Sequence, residues 1–135
     1  YKVLKILHKL GIPTVVWLSP LLPYINDTED NVRGILEYCA DAGVLGIICF
    51  GMGLTLREGN REYYYNKLDA HFPGLKQKYI QQFGNSYAVV SPANAALMRF
   101  FHTFCEAHHI LHDNETIFSY LRTFETRGGT QQSMF

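Results

Sequence analysis

The chain alternates between short apolar runs and longer segments with helical periodicity. Apolar residues recur at three- and four-residue intervals through the first ten positions, which predicts a helix that ends at Gly11. The run IPTVVWL at 12–18 is apolar without alternation, which predicts a strand covered on both faces. A second run, VLGIICF at 44–50, has the same character. Both strands are therefore expected in the interior of a sheet.

A helix is predicted between these two strands. Asp27 or Thr28 caps it, acidic residues occupy its first turn, and Gly43 ends it. Strand, helix and strand in this order form a right-handed βαβ unit with parallel strands. The segments SPLLPYIND (19–27) and GMGLTLREGN (51–60) then lie at the same sheet edge, where α/β folds bind their ligands.

The residue pattern in the second half of the chain predicts mostly helices. Ser91 is placed to cap one of these helices, because a proline follows it at the first turn. We expect one α/β unit over 1–125, with a βαβ portion at 1–59 and a helical extension at 60–125, and then a disordered tail at 126–135. The other predicted elements are helices at about 60–72, 74–83, 92–108 and 114–125 and a third short strand, YAVV, at 87–90.

Composition narrows the classes of function. Twelve basic residues balance twelve acidic ones, so no broad cationic field would drive non-specific nucleic-acid binding. The longest apolar stretch, 44–54, is far shorter than the roughly 18 residues that cross a bilayer, which predicts no membrane partner. Three widely spaced cysteines are an odd number, which favours reduced thiols and a cytoplasmic protein.

The predicted sheet is too small to be stable alone. Parallel sheets occur in larger numbers of strands that are buried on both faces, whereas this chain supplies two or three. The chain also begins at Tyr1 inside a helical pattern. We therefore expect the C-terminal portion of a partial (β/α) barrel, followed by a helical C-terminal region.

An ordered series of motifs resembles one enzyme family. The segment LGIPTVVWLSPLLPYINDTEDNVRGILEYCADAGV resembles the later part of radical S-adenosylmethionine enzymes of the spore photoproduct lyase family. Five further segments resemble the C-terminal half of the same group: GIICFGMGLTLREGNREYYY, FPGLK, GNSY, SPAN and HDNETIFSYL. The specificity lies in the joint order of the motifs, which runs from Gly11 to about Glu125.

The resemblance implies S-adenosylmethionine bound across the carboxyl ends of the strands, beside a [4Fe–4S] cluster, and a 5′-deoxyadenosyl radical that abstracts hydrogen. In the founding member the substrate is a thymine dimer in DNA, so nucleic acid is one candidate substrate here. The family's C-x-x-x-C-x-x-C cluster motif is absent from this chain, whose cysteines are Cys39, Cys49 and Cys105. We therefore expect an inactive fragment that needs the missing N-terminal half of the same barrel.

Two residues of the proline-rich segment are candidates for cofactor binding. On the functional interpretation Ser19 and Asn26 lie near bound S-adenosylmethionine. The alternative is that Asn26 and Asp27 only cap the following helix, as Asx residues before helices usually do.

The glycine-rich segment supplies the other candidates. Gly51 and Gly53 would let the backbone approach the cofactor, Arg57 would pair with a carboxylate or phosphate of the substrate, and Glu58 would orient it. Neither the dinucleotide fingerprint nor the Walker loop fits the glycine spacing. The alternatives are a surface ion pair at a turn and, for the whole chain, a non-catalytic α/β module that binds a nucleotide or phosphate.

A histidine-rich helix raises the question of a metal site. His102, Cys105, Glu106 and His109 recur at three- and four-residue spacing, which could ligate zinc. Cys105 also falls on a mostly apolar face of the same helix, so we interpret the segment as a packed amphipathic helix and predict no metal site.

Overall fold

The computed structural model describes residues 1–123, which form a mixed α/β fold with two small sheets. The predicted tail at 126–135, and the last residues of the helix predicted at 114–125, lie outside these residues. The helices are α1 (Lys2–Lys9), α2 (Glu29–Ala42), α3 (Asn60–His71), α4 (Leu75–Phe83), α5 (Asn94–Ala107) and α6 (Asn114–Arg122). The strands are β1 (Val15–Trp17), β2 (Gly46–Ile48), β3 (Gly53–Thr55) and β4 (Ala88–Val90).

The predicted βαβ unit is confirmed. Strands β1 and β2 pair in parallel, with Trp17 opposite Ile48, and α2 connects them. Thr28 caps α2 by accepting a hydrogen bond from the Asn31 N–H at 3.3 Å, and Gly43 ends the helix in the left-handed conformation at φ 69°. On the other side of β2, Leu111 forms a parallel bridge with Gly46.

The prediction that both strands are buried is wrong for β1. All three residues of β2 are buried, whereas β1 is half-buried and Trp17 is 57% exposed. The difference follows from position, because β2 lies between β1 and Leu111, while no strand within residues 1–123 pairs with the outer edge of β1.

The predicted third strand exists, but it is not parallel and does not join the first sheet. Strand β4 pairs antiparallel with β3, which forms inside the segment predicted to be a loop. Gly53 explains this pairing, because a Cβ atom at this position would lie 2.3 Å from the Val89 carbonyl oxygen. Residues 53–90, comprising β3, α3, α4 and β4, are called the excursion below, and the other residues of 1–123 the body.

Each of these two parts has its own core. The body core is aliphatic with one phenylalanine and three cysteines, whereas the excursion core is rich in tyrosine. Helix α2 packs against α5 in the body, and α3 packs against α4 in the excursion. No helix within residues 1–123 has the length and apolar character needed to span a bilayer.

Candidate functional site

A cleft of about 490 Å³ lies at the carboxyl ends of β1 and β2, between the body and the excursion. Its volume falls in the range of small-molecule sites, which is roughly 300–1,000 Å³. The first strand of the excursion forms one wall and the loop after β2 forms another. The lining residues are Ser19, Pro20, Phe50, Gly51, Met52, Gly53, Leu54, Thr55, Val89, Val90 and Asn94.

Two asparagines at the starts of helices hold the loop that follows β2. The Oδ1 atom of Asn94, the first residue of α5, accepts a hydrogen bond from the Met52 N–H at 2.7 Å. Asn114, the first residue of α6, accepts from the Cys49 N–H at 3.3 Å and donates to the Cys49 carbonyl at 3.0 Å. Gly51 between them has φ 134°, which favours glycine. The cleft wall is therefore fixed from both sides.

The proline-rich segment is tied into the fold by its own polar side chains. Asn26 Oδ1 accepts from the Leu22 N–H at 2.6 Å, and Asp27 Oδ1 accepts from the Tyr24 N–H at 2.7 Å. The other oxygen of Asp27 accepts a hydrogen bond from the Ser91 hydroxyl. These bonds give Asn26 and Asp27 a turn-forming function inside the segment.

The structure brings three of the four predicted cofactor-binding residues together. Ser19, Gly51 and Gly53 line the cleft, whereas Asn26 does not, since its side chain is directed into its own loop. Gly51 and Gly53 also have structural reasons to be glycine, namely the positive φ of the first and the close approach of Val89 to the second.

The two predicted substrate-binding residues lie elsewhere. Arg57 and Glu58 are exposed and do not line the cleft. The Arg57 guanidinium near the Tyr87 hydroxyl lowers the pKa of Tyr87. The neighbouring Arg61 is the more embedded cation, because it donates to four backbone carbonyls.

The residues that line the cleft offer no side chain that could transfer a proton at neutral pH. Its lining includes no acidic, basic or imidazole side chain among residues 1–123. The residues with polar side chains in its lining are Ser19, Thr55 and Asn94. Binding of an uncharged ligand surface costs least in such a site, since no charged side chain has to be desolvated.

The thiols of this chain do not fit an iron–sulfur cluster. Cys39, Cys49 and Cys105 are buried in the body core, and burial raises the pKa of each. For Cys105 the pKa rises to about 12, with the neighbouring thiols as a smaller cause. Cluster ligands are thiolates, so these residues are core side chains. Across the described part of the chain, no group of three or more His, Cys, Asp or Glu residues is arranged to hold a metal ion.

Sequence reasoning missed Phe50 and Asn94. The apolar run 44–50 predicts Phe50 within a buried strand, but Phe50 lies past the end of β2, is 68% exposed and lines the cleft. Asn94 is the last residue of the motif SPAN, one of the segments that carry the family resemblance. An asparagine at a helix start signals a hydrogen bond to a backbone N–H, and here that N–H belongs to the cleft wall.

Comparison with known proteins gives no match: no family model fits the chain, and no curated protein or solved structure matches it.

Proposed function

We propose that this chain is the C-terminal part of a radical S-adenosylmethionine enzyme similar to the spore photoproduct lyase family, and that its cleft forms part of the S-adenosylmethionine site. The observation that carries the proposal is the position of the cleft. It lies at the carboxyl ends of two parallel strands and is lined by Ser19, Gly51 and Gly53, three of the four residues predicted from the sequence to bind the cofactor.

The geometry of β1 and α1 fits a partial barrel completed by further βα units. Within residues 1–123 the outer edge of β1 is unpaired, and parallel strands are stable when flanked by others. Val3 and Ile6 on α1 and Leu10 directly after it are each more than half exposed and follow helical spacing. The missing N-terminal half would cover this edge and this stripe, and it would supply the thiolate ligands of the cluster that the complete enzyme needs.

The alternative function, a module for nucleotide or phosphate binding, has weaker support. A phosphate site needs cations or a cradle of backbone N–H groups, and the lining residues include no cation. Arg57 lies outside the cleft, so it does not supply one. The substrate class remains a separate question, for which nucleic acid is one candidate.

The first test is the reading frame upstream of Tyr1. A C-x-x-x-C-x-x-C motif is expected there, and its absence from the complete frame would overturn the proposal. The second test is S-adenosylmethionine binding by the complete protein, measured by anaerobic equilibrium dialysis. Ser19→Phe fills the cleft from an exposed position and should weaken binding by about tenfold or more. Ser86→Phe, outside the cleft, is the matched control, and equal affinities in both variants would contradict the proposal.

A further inference from the structure

Two connections join the excursion to the body. The first is called the neck: the chain enters the excursion at 52–53 and leaves it at 90–91, and here the Ser91 N–H donates to the Met52 carbonyl at 2.8 Å. The second is the proline-rich segment at 19–27. Helices α3 and α4 pack on each other, and neither packs extensively on a helix or strand of the body. The excursion is therefore a separate packing unit on a narrow base.

The neck has the properties of a hinge. Hinges are a few loop or element-terminal residues that absorb changes in φ and ψ. Gly53 is the first residue of β3 and lacks a Cβ atom, and its ladder partner Val90 is the last residue of β4. On the body side, Asn94 holds the Met52 N–H at 2.7 Å. A rotation at the neck would therefore move β3, β4 and both helices as one unit.

The proline-rich segment contacts both parts of the molecule. Leu21 is buried in the body core, and its N–H donates to the Gly53 carbonyl at 3.0 Å. The Pro23 carbonyl accepts from the Tyr79 hydroxyl at 2.7 Å, and Tyr24 packs against the excursion core. Because the φ angle of a proline is fixed, the two prolines make this segment transmit a displacement instead of absorbing it.

The cleft crosses the boundary between the two parts. Its excursion side is β3 with the end of β4, and its body side is the loop after β2, Asn94 and the start of the proline-rich segment. A ligand shifts a conformational equilibrium only through contacts that differ between the two states. A ligand in this cleft gains contacts when the excursion turns towards the body, so its binding favours the closed position.

We infer that the excursion is a lid, which turns about the neck and closes on a ligand in the cleft, and that the proline-rich segment couples the ligand to the lid. The Tyr79–Pro23 hydrogen bond carries this coupling, because it joins the excursion core to the segment that supplies Ser19 to the cleft. Closure of a lid excludes water from a site and retains the ligand. The inference rests on the proposed function only in the choice of S-adenosylmethionine as probe.

Spin labels on the complete protein measure the movement. A ketone-bearing amino acid, which leaves all cysteines untouched, carries the labels at the exposed positions Asn66 on α3 and Ser119 on α6. Double electron–electron resonance should show this lid–body distance shift by more than about 2 Å at saturating S-adenosylmethionine. The control pair, at exposed Glu37 on α2 and Ser119, lies within the body and should not shift. Equilibrium dialysis follows S-adenosylmethionine binding separately.

Tyr79→Phe tests the coupling without any ligand. It removes the hydrogen bond to Pro23, so the distribution of lid–body distances should broaden. Arg61→Ala is the matched control, because its lost hydrogen bonds all lie within the excursion, and the distribution should keep its width.

Three results overturn the inference. The first is an unchanged distribution in Tyr79→Phe, and the second is equal broadening in Tyr79→Phe and Arg61→Ala, which would reflect loss of structure inside the excursion. The third is an unshifted lid–body distance in protein that dialysis shows to be saturated. Absence of S-adenosylmethionine binding contradicts the proposed function instead, and the comparison of Tyr79→Phe with Arg61→Ala then decides about the lid.

Discussion

The body and the excursion hold themselves together by different physical means. The body core is a set of apolar side chains packed between α2, α5 and β2, with Phe101 completely buried at its centre. The excursion core centres on Tyr79, whose hydroxyl donates to the Pro23 carbonyl at 2.7 Å and accepts from the Tyr64 hydroxyl at 3.0 Å. The first arrangement depends mainly on buried area, and the second depends on hydrogen-bond geometry as well.

The difference bears on the cleft, because the cleft lies between the two parts. The excursion meets the body through a backbone bond at its start, from the Leu21 N–H to the Gly53 carbonyl, and the Ser91 N–H donates to the Met52 carbonyl just outside its two ends. Tyr79 adds a second link, since Pro23 belongs to the proline-rich segment of the body. The excursion wall of the cleft is therefore positioned by a few polar contacts and by Tyr24 and Ile25 of the body, which pack against the excursion core. The body wall is positioned by packing and by the hydrogen bonds of Asn94 and Asn114.

The largest effect is expected from a cavity in the body core. Phe101→Ala should lower the free energy of unfolding by about 3–5 kcal/mol, because the ring is fully buried. Hydrogen exchange should rise in both parts, since the excursion is anchored on the body. Denaturant unfolding measures the free energy of unfolding, and hydrogen-exchange mass spectrometry measures the protection of each part. Phe72→Ala, which replaces an exposed phenylalanine, is the control. Retained protection of the excursion would show that it folds independently.

A smaller, local effect is expected from the cation of the excursion. Arg61 donates to the carbonyls of Leu56, Gly84, Asn85 and Ser86 at 2.9–3.3 Å. Arg61→Ala should cost about 1.5–3 kcal/mol, the range for hydrogen bonds to charged groups.

The matched control is Arg57→Ala, which should change stability by less than about 0.5 kcal/mol, because Arg57 is exposed. In Arg61→Ala, backbone hydrogen exchange should rise within residues 53–90 and not in α2 or β2. Equal losses of stability in the two variants would show that Arg61 has no special role.

The tyrosine core gives a third test. Tyr79→Phe keeps the ring but removes the hydroxyl that bonds Pro23 and Tyr64, so a loss of about 1–2 kcal/mol is expected. Tyr63→Phe, at a 66% exposed tyrosine, should be neutral. Thermal unfolding of both variants measures the difference. A neutral Tyr79→Phe would mean that area alone stabilises the excursion, as it does the body.

The sequence predicted most helices and strands of both parts, but it did not predict β3 or its pairing with β4, for a physical reason. Apolar runs, an N-cap and a C-terminal glycine are local signals, and they placed β1, α2 and β2 correctly. The pairing of β3 with β4 joins segments more than thirty residues apart, and the short strand GLT has no alternation that would reveal it.

The candidate site shows the same limit. Its position followed from the rule for parallel strands, which placed the segments 19–27 and 51–60 at this edge. Of the candidates named in them, Ser19, Gly51 and Gly53 line the cleft, whereas Asn26, Arg57 and Glu58 do not. The hydrogen bond between Asn94 and the cleft wall could not be predicted, because its partner Met52 is distant in sequence. The contacts of Arg61 could not be predicted either, because three of its four carbonyl partners, Gly84, Asn85 and Ser86, are distant in sequence.

The smallest expected effect concerns pH and follows from where the titratable groups lie. The three cysteines belong to the body core, and burial raises the pKa of Cys105 from 9.0 to about 12. The buried tyrosines belong to the excursion, where burial raises the pKa of Tyr64 and Tyr79 from 10.0. Each group keeps its proton in the folded state after the unfolded chain has lost it, so stability is complete below the unfolded pKa and falls above it.

The body should therefore weaken first as the pH rises. Cys105 alone should remove about 1 kcal/mol between about pH 8 and about pH 10, because the unfolded thiol ionises in this interval and the folded one does not. Chemical denaturation of wild type and Cys105→Ala across this interval is the measurement. The variant starts from a lower stability, since it leaves a small cavity, but its stability should fall less steeply with pH. Tyr79→Phe is the control, because the tyrosine that it removes ionises in the unfolded chain mainly above about pH 10, beyond this interval. Parallel curves for wild type and Cys105→Ala would mean that the thiol reaches water in the folded state, which would contradict its place in the body core.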